Sequence, residues 1–229
     1  MNQFQDNLGI LSIKDYNQIK KSHILLVGLG GLGGYIAHGL VRLGVESLIL
    51  VDFDIFQLSN LNRQLFSNHL NLNLNKTAVI KQALLEINPN VKITIYTQKI
   101  ETIDIEVFRD IDIIIDGVDD IFVKCYLEKL GVALNKPLLH GAIGGWYGQL
   151  GFIMPGSNLL SELYGKNHHG IEKTLKSPTF TPAIVANMMI GEFVKFVIGD
   201  SHTLINQIMM IDLLNHDYQI VFDKKNLKG

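Results

Sequence analysis

A short apolar run, His23 to Val27, leads directly into Gly28-Leu-Gly-Gly-Leu-Gly33 and then into a helix-forming stretch that Gly44 can end as a left-handed cap. That succession constrains the fold more than any other part of the chain. A strand apolar along its whole length has to be covered on both faces, which is the situation of a parallel sheet between helix layers. The glycines let the backbone turn tightly and approach phosphate oxygens. The helix that follows presents free N–H groups and a positive dipole end. Asp52, nineteen residues after Gly33 and at the end of the second strand, is placed to accept ribose hydroxyls. Loop and aspartate together say nucleotide without saying which.

Strand and helix patterns alternate onward. Ser12 can cap a helix over 12–21, Ser47 to Asp52 is a second strand, and a helix from Asn75 to Asn88 is ended by Pro89. Val91, Ile93 and Ile95 alternate as a strand, and Ile111 to Asp116 is another. Asp120 can cap a helix to about Asn135, with strands Leu138 to Ala142 and Gln149 to Met154 after it. A polar stretch, about 156–180, is expected as a loop before a helix starting near Pro182 and stopping at Gly199. Two strands, Ile208 to Leu213 and Tyr218 to Phe222, close the pattern. The expectation is one α/β domain over 1–229, a Rossmann-like nucleotide-binding fold. Its central sheet is mixed, parallel first and antiparallel later, and flanked by helices. The nucleotide-binding core spans 23–142, and the C-terminal helix and strands span 181–222.

Composition narrows the function classes. At a net charge of −2, a broad surface for nucleic acid is not expected. No apolar run is expected to reach the roughly 18 to 20 residues of a membrane span. Residues Met1 to Asn7 lack the basic and apolar parts of a signal peptide, so a cytoplasmic location is expected. Cys125 is the single cysteine, and Arg42, Arg63 and Arg109 are the only arginines.

Against that scarcity, Ser59-Asn-Leu-Asn-Arg-Gln64 is dense in polar function, and Lys76 follows in the first turn of a helix. Arg63 offers a planar fork and Lys76 a compact point charge, the cations that polyphosphate chemistry needs. Asp116-Gly-Val-Asp-Asp120 ends an apolar strand, where Asp119 could hold magnesium beside phosphates. Singly, each has a plainer reading: Arg63 a surface residue, Lys76 a solvated charge, Asp119 or Asp120 a helix cap.

These motifs, with Val51-Asp-Phe-Asp54 and Ile87-Asn-Pro89, resemble the ThiF/MoeB/HesA family, prokaryotic relatives of ubiquitin-activating enzymes, from about His23 to about Phe222. The resemblance implies an adenylyltransferase. It would use ATP and Mg²⁺ to adenylate the Gly-Gly carboxylate of a ubiquitin-like sulfur carrier of ThiS or MoaD type, releasing pyrophosphate. By position it implies Gly28, Gly30, Gly31, Gly33, Asp52 and Asp54 around the nucleotide, with Asp52 on the ribose. It puts Asn60, Arg63 and Lys76 on the phosphates with Gln64 beside them, and Asp119 on Mg²⁺. A homodimer is also implied, serving thiamine, molybdopterin or tungsten-cofactor sulfur chemistry.

The departures carry expectations too. Gly156 and Leu159 occupy the positions of a zinc-binding cysteine pair, so no zinc is expected; His168 and His169 read as exposed loop residues. The crossover segment lacks a cysteine, and Cys125 reads as a buried small hydrophobe, so sulfur should come from a separate donor. Relatives supply an N-terminal arginine to a neighbouring subunit; Lys14, Lys20 or Lys21 could stand in. Trp146 and Tyr147 could line the carrier-tail channel or form a dimer contact. The other readings are adenylation of a TcdA-like modified tRNA base or of a peptide C-terminus, and a non-catalytic nucleotide-binding scaffold. An NAD-dependent oxidoreductase would have no use for Arg63, Lys76 and Asp119 together.

Overall fold

The structure is a computed structural model that describes residues 3–165 and 175–224. Among these residues eight strands form one sheet: β1 His23–Val27, β2 Ser47–Val51, β3 Lys92–Tyr96, β4 Ile113–Asp116, β5 Leu138–Gly144, β6 Tyr147–Ile153, β7 Gln207–Asp212 and β8 Asp217–Asp223. Their order across the sheet is β3-β2-β1-β4-β5-β6-β7-β8. The first five neighbours pair in parallel, in register Leu25 with Ile49 and Ile114, and β5 to β8 pair antiparallel. The chain therefore reverses its direction of travel across the sheet between β1 and β4. In open α/β sheets, ligands sit outside the carboxyl ends of the strands at such a switch point.

Among the described residues six α-helices cover the sheet: α1 Ile13–Lys21, α2 Gly31–Leu43, α3 Lys76–Ile87, α4 Ile121–Leu134, α5 Leu159–Tyr164 and α6 Phe180–Ile198. Alternate residues of β1 choose opposite sides. Ile24 and Leu26 pack into a core with α2, α3 and α6, while Leu25 and Val27 pack into a second core with α4 and α5. That two-sided burial is what makes the strand apolar throughout. Local signals set several helix ends. The Ser12 hydroxyl accepts the Asp15 N–H, Asp120 accepts from Phe122 and Val123, and Gly44 (φ 100°) and Gly199 (φ 73°) end α2 and α6 in the left-handed region.

Two expectations need correction. Within the stretch read as a loop over 156–180, residues Leu159–Tyr164 are helical. The buried Glu128 carboxylate of α4 reaches over to cap this helix, accepting from Leu160 N (2.8 Å), Ser161 N (3.0 Å) and Ser161 Oγ (2.6 Å). Leu159, at a position where the resemblance expects cysteine, is a fully buried core residue, and Gly156 is a turn glycine with φ 87°. The second correction concerns α6, which is long and apolar enough by composition to cross a membrane, with a mean hydropathy of 1.4. Here Val185, Ala186, Met189 and Phe193 bury one stripe of it in the core, and buried Glu192 accepts the Leu204 N–H at 3.0 Å.

Candidate active site

A cleft of about 1300 Å³ opens at the carboxyl ends of β1, β2 and β4. Gly28, Gly30, Gly31, Asp52, Asp54, Asn60, Arg63, Gln64, Lys76 and Asp119 all line it. The exception among the candidate residues is Gly33. A Cβ there would sit 1.8 Å from the Gly28 carbonyl oxygen, so Gly33 is needed for the loop to close on its helix and does not face the cleft. Gly28 (φ 84°) also packs closely on Gly117, and a Cβ on either would come within 2.7 Å of the other's backbone.

Asp52 is bound into this wall from both sides. Its Oδ2 accepts the Leu29 N–H at 2.6 Å and its Oδ1 the Asp54 N–H at 2.7 Å, tying the glycine loop to the end of β2. Burial pushes its carboxyl above the usual range, against the pull of Lys76 and the two N–H donors. Each oxygen keeps lone-pair capacity for a further donor. Lys76, with 4% exposure, sends its ammonium 2.9 Å to Asp54, whose side chain is half exposed. The Arg63 guanidinium donates to the Ser59 carbonyl and to Asn62 Oδ1, both at 2.9 Å. Asn62 in turn donates to the Ser177 carbonyl at 3.2 Å, linking Arg63 to the chain that returns from the crossover.

Gln64 is 7% exposed, and among the described residues its Oε1 has no hydrogen-bond partner. An amide oxygen only accepts, so it is the amide NH₂ of Gln64, presented by turning the amide over, that would donate to a phosphate oxygen in the cleft. With the side-chain-free loop and the start of α2 beside it, the wall fits a nucleotide's phosphates. Asp119 is exposed at the rim, one residue before the Asp120 that caps α4. One carboxylate plus phosphate oxygens is an ordinary ligand set for Mg²⁺.

Several lining residues were not anticipated. Lys99 and Ile100 follow β3, and the Lys99 ammonium lies 5.5 Å from the Phe53 ring centroid. Their only sequence signal is their place just beyond a parallel strand's carboxyl end. Lys176 and Ser177 also line the cleft, held by the Gly145 N–H on the Lys176 carbonyl at 2.8 Å. By contrast Lys20 and Lys21 border a separate groove at the starts of β1 and β2, where Lys20 pairs with Glu46 at 2.9 Å. Lys14 does not line the cleft either. Within one chain, none of these three lysines reaches the site.

Trp146 lies at the β5–β6 turn with its ring 4.6 Å from Phe180, and Tyr147 is partly exposed; neither lines the cleft. Cys125 is only half-buried, a modest correction to its expected burial, and desolvation and Glu128 push its thiol pKa up. His168, His169 and the tail beyond Lys224 lie outside the described residues.

A glycine loop at the switch point of a doubly wound sheet, faced by an arginine, a lysine and carboxylates, defines a nucleotide-binding protein of the Rossmann-like class. The chain belongs to the ThiF family, which it matches over residues 4–228. It is 30% identical over 203 residues to the molybdopterin-synthase adenylyltransferase of Haemophilus influenzae, covering 85% of this chain and 82% of that protein. It is 29% identical over 221 residues to a probable molybdopterin-synthase adenylyltransferase of Porphyra purpurea, 91% of this chain but 56% of the relative's length. The crystal structure of E. coli MccB with ATP shares the fold at TM-score 0.79 and 20% identity, over 96% of this chain and 71% of that one.

Proposed function

We propose that this chain adenylates the C-terminal carboxylate of a ubiquitin-like sulfur carrier ending in Gly-Gly, consuming ATP and releasing pyrophosphate. The observation that carries this reading is the convergence of Asp52, Asn60, Arg63, Gln64, Lys76 and Asp119 on one cleft beside the glycine loop. The names of the relatives support it, and they favour a carrier of the molybdopterin-synthase kind over a thiamine one.

A carboxylate oxygen of the carrier attacks the α-phosphorus, the bond to the β-phosphate oxygen breaks, and pyrophosphate leaves with the electron pair. The nucleophile is already ionised, so the chain has no proton to move. Its work is alignment and charge neutralisation. Asp52 holds the ribose, Arg63 and Lys76 follow the charge that builds on the phosphates, and Asn60 and Gln64 fix the oxygens between them. Asp119 would hold Mg²⁺, which neutralises phosphate charge when bound. The raised thiol pKa of Cys125 fits a scheme in which sulfur comes from a separate donor. A homodimer and a cytoplasmic setting complete the proposal.

The test is ATP–pyrophosphate exchange with Mg²⁺, with and without a small carrier ending in Gly-Gly. Exchange that depends on the carrier is expected. Exchange driven instead by a short peptide would move the substrate to a peptide C-terminus, and tight ATP binding without exchange for any carboxylate would leave a binding scaffold.

A further inference from the structure

Directly behind the cleft wall lies a buried polar network that the adenylation reading does not use. Asp116, Lys124 and His140 are 0%, 1% and 0% exposed. Lys124 Nζ donates to Asp116 Oδ2 at 3.2 Å and to the Gly141 carbonyl at 2.7 Å, and lies 3.4 Å from Oδ1. His140 Nδ1 is 2.8 Å from Asp116 Oδ2, and its Nε2 is 3.1 Å from Gln149 Nε2 and 3.3 Å from the Tyr164 hydroxyl. A charged pair and an imidazole fully removed from water are costly unless every group is satisfied, so this arrangement has to be held for a reason.

The reason lies in what Asp116 does next. Its Oδ1 accepts the Val118 N–H at 3.0 Å, closing an Asx turn over 116–118 beside which Asp119 stands at the rim. Gly117 in that turn is wedged against Gly28, so the turn's shape also sets the spacing between Asp119 and the glycine loop. Asp116 can hold the turn only if its own carboxylate is fixed. Lys124 supplies charge, but on a long stem; His140 supplies the rigid, directional donor. The partners determine its tautomer. Paired with Lys124, Asp116 can only accept, so Nδ1 carries the proton, and Nε2 is left to accept from the Gln149 amide. Burial and the nearby Lys124 favour the neutral ring.

We propose that His140, as the neutral Nδ1–H tautomer, is a positioning residue that acts through Asp116 to aim Asp119 and set its distance from the glycine loop. The proposal rests on the adenylation reading for what Asp119 holds. Two substitutions separate the two ring nitrogens: the amide nitrogen of His140→Asn can occupy the Nδ1 position, whereas that of His140→Gln reaches the Nε2 position. His140→Gln should weaken Mg–ATP binding measured by calorimetry, and raise the Mg²⁺ needed for half-maximal exchange, by about 10-fold or more, the usual cost of losing such an orienting partner. His140→Asn should lose less than about threefold, as its Nδ1-position donor is retained. In nucleotide-free protein, long-range ¹H–¹⁵N spectra should show, besides His38, whose Nε2 accepts from Arg42 at 2.8 Å, an Nδ1–H histidine that does not titrate through the neutral range and is missing in both variants.

Equal effects of the two substitutions, or an Nε2–H tautomer for His140, would overturn the proposal. Should His140→Gln fail to fold, His140→Asn decides alone: a 10-fold loss of Mg–ATP affinity refutes the role. Absence of exchange in the wild type would count against the adenylation reading, while the spectra and Mg–ATP affinities still judge His140.

Discussion

Replacing Lys76 with methionine separates the charge of the site from its packing. The Lys76 side chain is 5% exposed and its ammonium sits 2.9 Å from an Asp54 side chain that is 50% exposed. Methionine keeps most of the buried stem and leaves Asp54 in reach of water, so the fold should lose no more than about 1 kcal/mol. The site should lose far more. A unit charge about 4 Å from a phosphate oxygen interacts by roughly 4 kcal/mol at an effective dielectric of about 20. Oriented transition-state donors removed by mutation cost a similar 2.7–4 kcal/mol, or about 100 to 1,000-fold in kcat. The two routes agree, so Lys76→Met should slow carrier-dependent ATP–pyrophosphate exchange by at least about 100-fold while the unfolding midpoint moves by only a few degrees. Exchange within threefold of wild type would remove Lys76 from the chemistry and leave its pairing with Asp54 as its whole role.

Other outcomes follow from the same geometry. Arg63→Ala should also reduce exchange by about 100-fold or more, since Arg63 is the only arginine lining the cleft among the described residues. Gln64→Leu removes the side-chain amide, whose Oε1 has no partner among the described residues, so thermal stability should hold or rise while ATP affinity measured by calorimetry falls about 3 to 10-fold. Cys125→Ser should retain exchange, and the wild-type thiol should react slowly with iodoacetamide at neutral pH, because its pKa is raised. For pH, the folded pKa of His140 is depressed below 6.5, so the unfolded chain binds the proton first. Its contribution is full above about pH 6.5 and is lost as pH falls toward the folded value. Urea unfolding should therefore show stability declining below about pH 6.5, with a shallower slope in His140→Asn.

What could be read from sequence was what short-range physics decides. The β1–glycine loop–α2 unit, the caps at Ser12, Gly44, Asp120 and Gly199, and the placement of Asp52 each depend on residues within a turn or two. The order of the parallel and antiparallel halves was legible as well, from strands apolar throughout giving way to closely spaced ones. α5 was not legible because six residues are too few for a periodicity, and its N-terminus is capped by Glu128, about thirty residues earlier. Lys99 joins the cleft because it lies just past the carboxyl end of β3, and Lys176 because the Gly145 N–H holds the segment before α6 there, neither of which a local pattern shows. The packing of Gly33 was not legible, because the spacing that marks a phosphate loop does not separate glycines that face the cleft from those that let a helix close on its strand. Asp116, Lys124 and His140 come from three elements, and their meeting is a property of the register between β4 and β5.

The junction between the 157–162 segment and the end of β8 sets how the protein answers its surroundings. Lys224 donates to the Ser157 carbonyl at 2.9 Å and pairs with Glu162, while Gln207 donates to Asp223 at 2.9 Å. Those ties are ammonium, amide and carboxylate, all indifferent to oxidants, chelators and the local supply of metal. They are instead open to competition from dissolved ions. Zinc starvation or peroxide would leave this joint intact, whereas a rise in the surrounding salt would slacken it.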